Sequence, residues 1–389
     1  MTTHTIPAPD RCDLLCVVGA RPNFMKIAPI AAALGAHAPQ LRVSLLHTGQ
    51  HYDATMNHQY FDALGIPAPA VNLEVGSGSH AQQTAEVMRR FEPALDALQA
   101  KSVLVVGDVN STLACALVAA KKGIPVIHVE AGLRSGDRGM PEEINRILVD
   151  QISDLLFTTE RQAHANLARE GVPDEAIRFV GNVMIDTLRG NLERAVPWYR
   201  TVPEHDRERL SISQGNYAVV TLHRPSNVDD PAVLAGLLET LDDASERLPL
   251  LFPLHPRTRA MIERFDCMHL LDGGRVVLLP PQGYLEMLGL MRDARMVLTD
   301  SGGIQEETTA LGVPCITLRD NTERPVTVEE GTNTLAGNDR NAILAAVDGI
   351  LAHGGKRGRI PEGWDGRAAV RIAEQIAAWA THGMPRRPA

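Results

Sequence analysis

The run Leu298–Asn333, LTDSGGIQEETTALGVPCITLRDNTERPVTVEEGTN, constrains the fold more than any other part of the chain. Met296-Val-Leu-Thr299 reads as a short apolar strand that closes at Asp300. Ser301, Gly302 and Gly303 read as a turn, and Ile304 to Leu311 as a helix with Gly312 as its C-cap. Val313 to Leu318 reads as the next strand, followed by a polar loop with Arg324 and Glu329-Glu330-Gly331-Thr332-Asn333. A strand–turn–helix unit aims unpaired N–H groups at one point, with the positive end of the helix dipole behind them. That point suits a phosphate. Glu307 lies one turn into the helix, where a carboxylate can accept hydrogen bonds from a ribose. Arg324 supplies a cation or donor for a diphosphate. Taken without neighbours, Ser-Gly-Gly describes an ordinary βα turn. With Glu307 and Arg324 beside it, it describes a nucleotide-sugar site.

An anionic ligand needs such local cations here, because the 389-residue chain carries a net charge of −9. The same balance argues against a general nucleic-acid surface. A composition of 44% hydrophobic and 22% charged residues is ample for two globular cores. Cys12, Cys16, Cys115, Cys267 and Cys315 show neither zinc spacing nor a disulfide framework, so a cytoplasmic setting is expected and no metal site. The first residues lack a basic segment followed by an apolar one, so no signal peptide is expected. No apolar run approaches a membrane span.

The remaining chain alternates strands and helices with polar residues at the strand ends, where open α/β sheets bind ligands. Leu14 to Gly19 is a strand, and Pro22 opens a helix whose start carries Arg21 and Lys26. Val43 to Thr48 is followed by a loop with Gln50, and Met56 to Leu64 reads as a helix. Lys101 to Val106 ends at Gly107-Asp108, and the next helix is expected over Leu113 to Lys122, with Asp108, Asn110 or Ser111 as its N-cap. Pro125 to Val129 ends at Glu130. Pro141 then starts a helix with Glu142 and Glu143 in its first turn, about 100° apart, so at most one of them faces a given ligand. The first domain is expected over residues 13–186 and the second over 187–366, with Thr187 to Asn216, polar, helical and then loose, as a connector. The second opens on Ala218 to Leu222 with His223-Arg224-Pro225 at its tip. A histidine there suits phosphate donation or acid–base work. Leu250 to Leu254 is followed by His255, and Pro281-Gln282-Gly283-Tyr284 precedes the helix holding Met287. Arg367 to Ala380 reads as a last amphipathic helix.

Seven blocks in order carry a family resemblance over residues 14 to 380: Gly-Ala-Arg-Pro…Lys26, His-Thr-Gly-Gln-His, Gly-Asp108, His-Val-Glu130-Ala-Gly-Leu-Arg, Pro-Glu142-Glu-Ile-Asn-Arg, Leu-His223-Arg, and Asp-Ser-Gly-Gly-Ile-Gln-Glu-Glu307 with Thr-Glu-Arg324-Pro. The chain resembles the non-hydrolysing UDP-N-acetylglucosamine 2-epimerases of bacteria. That resemblance implies an α/β fold of two Rossmann-like domains facing a cleft, glycosyltransferase-B-like, with the C-terminal helix (367–382) returning to the first domain. It implies reversible interconversion of UDP-GlcNAc and UDP-ManNAc with no cofactor, by a homodimer, through elimination of UDP to 2-acetamidoglucal and its readdition. By position, Asp108, Glu130 and Glu142 match the family's catalytic carboxylates, with the direction each serves left open. Arg21, Lys26 and His223 match substrate and diphosphate contacts. Ser301, Gly302 and Gly303 match the phosphate turn, Glu307 the ribose contact and Arg324 a further UDP contact. Gln282 matches a position near the uracil. Met287 falls where some members carry an aromatic ring, which leaves contact without stacking. Gln50 and His255 lie in regions where some members bind a second UDP-GlcNAc as activator, while Asn23-Phe24 stands where Glu-Ala is commoner. Two rival readings leave a nearly identical site, a hydrolysing relative and an epimerase of a modified UDP-sugar; a third, a glycosyltransferase-B transferase, would need an acceptor-binding surface and leave the three carboxylates without a purpose. A non-enzymatic binder would have no use for three acids beside an anion.

Overall fold

The computed structural model describes residues 12–49, 61 and 64–387, with the side chain of Arg21 excepted. Gln50 and most of the helix expected over Met56 to Leu64 lie outside the described residues. The chain forms two compact units. One runs to Thr187 and takes back the chain from Glu362, and the other spans Leu188–Pro361.

The first unit holds seven strands: β1 (Leu14–Val18), β2 (Val43–His47), β3 (Val71–Asn72), β4 (Val103–Val106), β5 (Val126–Ala131), β6 (Leu155–Thr158) and β7 (Ile177–Phe179). They pair in parallel in the order β3-β2-β1-β4-β5-β6-β7. β1, β4 and β5 are buried along their length, as expected of strands covered by helices on both faces. Each fully buried Leu or Val side chain there contributes roughly 2 kcal/mol. The order reverses between β1 and β4, which makes their carboxyl ends the ligand-binding edge of this unit.

The helix His80–Leu98 is fixed at its start by a capping box, in which the Ser79 hydroxyl accepts from the Gln82 N–H. It buries Val87, Phe91, Ala94, Leu95 and Leu98, at the spacing of one helix face. The last helix, Ala368–Thr381, returns to the first unit and shares the core of the helix Arg21–His37 through Ile372, Ala373 and Ile376. Asp186 receives the N–H groups of Ala368 and Ala369 at 3.1 and 2.7 Å and so caps this helix from elsewhere in the chain.

The second unit holds six parallel strands: β8 (Ala218–Thr221), β9 (Leu250–Pro253), β10 (Val276–Leu279), β11 (Met296–Thr299), β12 (Cys315–Thr317) and β13 (Asn333–Leu335), in the order β10-β9-β8-β11-β12-β13. Here the reversal falls between β8 and β11.

Two expectations change. The segment after Thr187 is helical at first, as expected, but its later part is not loose. Helical turns at Leu192–Arg194, Trp198–Thr201 and Glu204–Arg209 bury Val202, Leu210 and Ile212 against the fully buried Tyr217. Single apolar residues scattered among charged ones form an anchor without any visible period. The polar run after Arg324 is also structured: it folds as the short helix Pro325–Glu329 and then β13, with Thr332 and Asn333 buried.

Candidate active site

In the first unit the tips of β1, β4 and β5 lie side by side. Lys26, in the second turn of the helix after β1, places its ammonium 2.5 Å from Glu130, with both side chains almost wholly buried. Glu130 has φ 75, and the β5–β6 register shifts between Val129 and Ala131 at this point. This bulge holds a non-glycine residue in the left-handed region, at a cost of about 1 kcal/mol or more, as is common where a strand re-aims a functional side chain. Gly107 is required beside it. Its φ is 67, and a Cβ there would stand 2.7 Å from the Lys26 ammonium nitrogen. Asn23 joins the two strand tips: its Oδ1 accepts from the N–H groups of Gly19 and Ala20, and its Nδ2 donates to the Val106 carbonyl.

Asp108 is not the N-cap of the following helix. That helix runs over Asn110–Lys121, starting three residues earlier than expected, with Val109 at the cap position. The Asp108 carboxylate is partly exposed and pairs with the guanidinium of Arg146 at 2.7 Å, while its carbonyl accepts from Asn145 at 2.8 Å. The helix Pro141–Ile152 separates its two acids. Glu143 is buried, accepts the N–H groups of Ser135 and Gly136, and pairs with Arg146. Burial acts to raise its pKa, but those N–H groups and Arg146 prevail and hold it below the usual carboxylate range. Glu142 is half-buried in the first turn, and Arg21 is the first residue of its helix.

In the second unit the tips of β8 and β11 form a second cluster. Asp300 is fully buried, and four donors converge on it: the backbone N–H of His223 and of Arg224, the Asn227 amide, and His223 Nδ1 at 2.8 Å. Burial would raise its pKa, but His223 and the backbone N–H groups outweigh it and hold it lowered. Gly302 and Gly303 are not a turn before the helix. They are its first two residues, with Ser301 as the N-cap. A Cβ on Gly302 would lie 2.3 Å from a carboxylate oxygen of Glu323, so a side chain there would push that carboxylate from its place beside Arg319. The first N–H groups of this helix project from its start, at the positive end of its dipole. Arg324 pairs through Nε with Glu306 at 2.7 Å, both deeply buried.

Glu307 is buried, and burial pushes its pKa up to about 8, offset in part by the Tyr284 hydroxyl and reinforced by Glu306. A carboxyl whose pKa rises on folding keeps its proton in the native state while the unfolded chain loses it. Its contribution to stability is therefore intact below about pH 4.5 and is eroded as the pH climbs to about 8. Glu307→Gln is expected to remove that erosion: in melting curves from pH 5 to 9 the variant gains steadily on the native protein, by roughly 2 kcal/mol or more at the alkaline end. Parallel curves would contradict the assignment.

Gln282 donates to the Pro280 carbonyl at 2.7 Å, and Met287 packs on the core around Tyr217 and Leu290. His255 is exposed, caps the helix Pro256–Arg264 and stands 5.5 Å, ring to ring, from His223. The structure thus groups Lys26, Gly107, Glu130 and Asp108 in one unit, and His223, Ser301, Gly302, Glu307 and Arg324 in the other. Asp300, Glu306, Tyr284 and Arg146 escaped the sequence reading as site residues, although Arg146 closes the Pro-Glu-Glu-Ile-Asn-Arg block. Among the described residues no group of three or more His, Cys, Asp or Glu could hold a metal, and no helix is long and apolar enough to cross a membrane.

Comparison with known proteins identifies the family. The family model for UDP-N-acetylglucosamine 2-epimerase matches residues 33–377. The UDP-N-acetylglucosamine 2-epimerase of Methanocaldococcus jannaschii is 40% identical over 364 residues, covering 92% of this chain and 97% of the relative. The UDP-2,3-diacetamido-2,3-dideoxy-D-glucuronate 2-epimerase of Pseudomonas aeruginosa is also 40% identical, over 94% of this chain and 99% of the relative. The crystal structure of the M. jannaschii enzyme in complex with UDP-GlcNAc and UDP superposes with a TM-score of 0.85 at 40% identity, over 94% of this chain and 99% of that one. The Neisseria meningitidis enzyme bound to UDP-GlcNAc gives 0.84 at 28% identity, over 94% and 100%. The fold is glycosyltransferase-B-like, and the chain belongs to the UDP-N-acetylglucosamine 2-epimerase family of isomerases.

Proposed function

We propose that this protein interconverts UDP-GlcNAc and UDP-ManNAc by inversion at C2, without releasing the sugar by hydrolysis. The observation that carries the reading is the division of chemistry. One unit gathers acids with buried cationic partners, Glu130 on Lys26 and Asp108 on Arg146. The other offers a helix start flanked by His223 and Arg324, suited to a diphosphate.

A C2 proton with no adjacent carbonyl is weakly acidic, so its removal demands strong help for the departing UDP. The helix start, Ser301, Gly302 and Gly303, with His223 and Arg324, supplies that help as charge builds on the diphosphate, and Arg21 and Lys26 are the first unit's cations for the substrate. Inversion needs proton transfer on two faces of the sugar, and Asp108, Glu130 and Glu142 provide more than one acid–base group. Elimination would give 2-acetamidoglucal and UDP, and readdition with protonation from the other face gives the 2-epimer. Glu307 would take the ribose, Gln282 and Met287 the base. A homodimer and a cytoplasmic setting complete the reading.

One observation favours a second reading, an epimerase of a modified UDP-sugar: the P. aeruginosa relative is as similar as the M. jannaschii one. Incubation with UDP-GlcNAc, with products resolved by chromatography, separates the cases. UDP-ManNAc is expected. Free ManNAc with UDP would make the protein a hydrolysing enzyme, and turnover of UDP-2,3-diacetamido-2,3-dideoxy-D-glucuronate alone would establish the second reading.

A further inference from the structure

The helix Pro141–Ile152 governs both strand tips that carry the acids. Arg146 holds the Asp108 carboxylate and Asn145 the Asp108 carbonyl. One turn further, Asp150 is fully buried and accepts from three sources. His128 Nδ1 reaches it at 2.7 Å, the Gly132 N–H at 3.0 Å and the Arg134 guanidinium at 2.8 Å. On the other side of its ring, His128 Nε2 meets the Gly107 carbonyl at 2.9 Å. Both ring nitrogens of this wholly buried histidine face oxygen atoms, one on the Asp150 carboxylate and one on the Gly107 carbonyl. Arg134 continues outward to Glu170.

The chain Arg134–Asp150–His128 thus ends on two backbone turns. The Gly107 turn directly precedes Asp108 and leaves the space in which the Lys26 ammonium meets Glu130. Gly132 lies two residues after Glu130 and secures the end of the bulged strand. A buried ionic relay is a poor source of stability compared with the aliphatic side chains that fill the rest of this sheet. Its hydrogen bonds are spent on the backbone beside the two acids.

We propose that His128 and Asp150 are positioning residues for epimerisation, holding the Gly107 and Gly132 turns so that Asp108 and Glu130 keep their aim. This rests on the roles given to Asp108 and Glu130 above. The test uses the full-length protein with UDP-GlcNAc as substrate and four variants: His128→Ala, His128→Gln, Asp150→Asn and Asp108→Asn. Steady-state kinetics, UDP calorimetry and melting are recorded for each. His128→Ala and Asp150→Asn are expected to lose about 100-fold in kcat with KM and UDP affinity within about threefold of native. His128→Gln, whose amide can still donate to the Gly107 carbonyl, is expected to recover about tenfold of that loss. Native kcat in both His128→Ala and Asp150→Asn overturns the proposal. So does a parallel fall of kcat, UDP affinity and melting temperature with no recovery in His128→Gln, since that is the signature of a purely structural pair. Unchanged turnover in Asp108→Asn, by contrast, overturns the functional reading beneath it.

Discussion

Glu130→Gln is expected to lower turnover about a thousand-fold while UDP binding is kept. The carboxylate pairs with the Lys26 ammonium at 2.5 Å, and both are shielded from water. Glutamine fills the same volume but can neither take a proton from C2 nor deliver one. It also leaves a buried ammonium without its counter-charge. Breaking such a pair from one side costs about 3 kcal/mol, which in a unit of this size lowers the melting temperature by roughly 10 °C. The diphosphate is assigned to the helix start at Ser301 and Gly302, which the substitution does not touch, and for this reason UDP affinity does not fall with turnover. Kinetics, calorimetry and melting on one preparation separate the three effects. Turnover within tenfold of native would remove Glu130 from the chemistry and leave it a structural partner of Lys26.

The second large effect is expected at Asp300. Asp300→Asn offers a single acceptor oxygen where the native carboxylate serves four donors, and its amide must point at one of them. A stability loss of about 3 kcal/mol follows from a buried donor left facing a donor. His223 loses the acceptor that fixes its ring, so turnover is expected to fall about 100-fold with a rise in KM. The pH dependence carries a sign. Because folding lowers the Asp300 pKa, its contribution is complete above the ordinary value of about 3.8 and is lost as the pH falls through the depressed one. The gap in melting temperature between native and variant protein therefore closes in acid. A gap that widens in acid would contradict the assignment.

Both effects show which parts of the site a sequence can reveal. Strands such as Val103–Val106 and Met296–Thr299 were legible because sheets buried on both faces require unbroken apolar runs, and because polar tips end them. Asp108, Glu130 and His223 stand out for the same reason, as polar groups at the ends of such runs, and Lys26 as a cation early in the helix that Pro22 opens. Their partners were not. Asp300 reads as the residue that ends a strand, and only the pairing of β11 with β8, with Thr299 opposite Thr221, brings it under His223. Arg146 and Asp150 read as polar residues of an amphipathic helix, and Glu143 cannot be told from Glu142 until the helix is placed against the loop at Ser135 and Gly136. The three-residue error at the start of the helix Asn110–Lys121 has a similar origin. Asn110 and Ser111 are good capping residues, but here they are buried inside the helix, Asn110 bonded to Gln83 and Ser111 to Thr48.

The central claim is that the proton at C2 of the sugar is exchanged while UDP departs and returns. Proton NMR of UDP-GlcNAc with the enzyme in D2O tests it most directly. The account predicts UDP-ManNAc with deuterium at C2, followed by deuterium in the recovered UDP-GlcNAc as the equilibrium is approached from both sides. UDP-ManNAc that retains the original proton at C2 would contradict it.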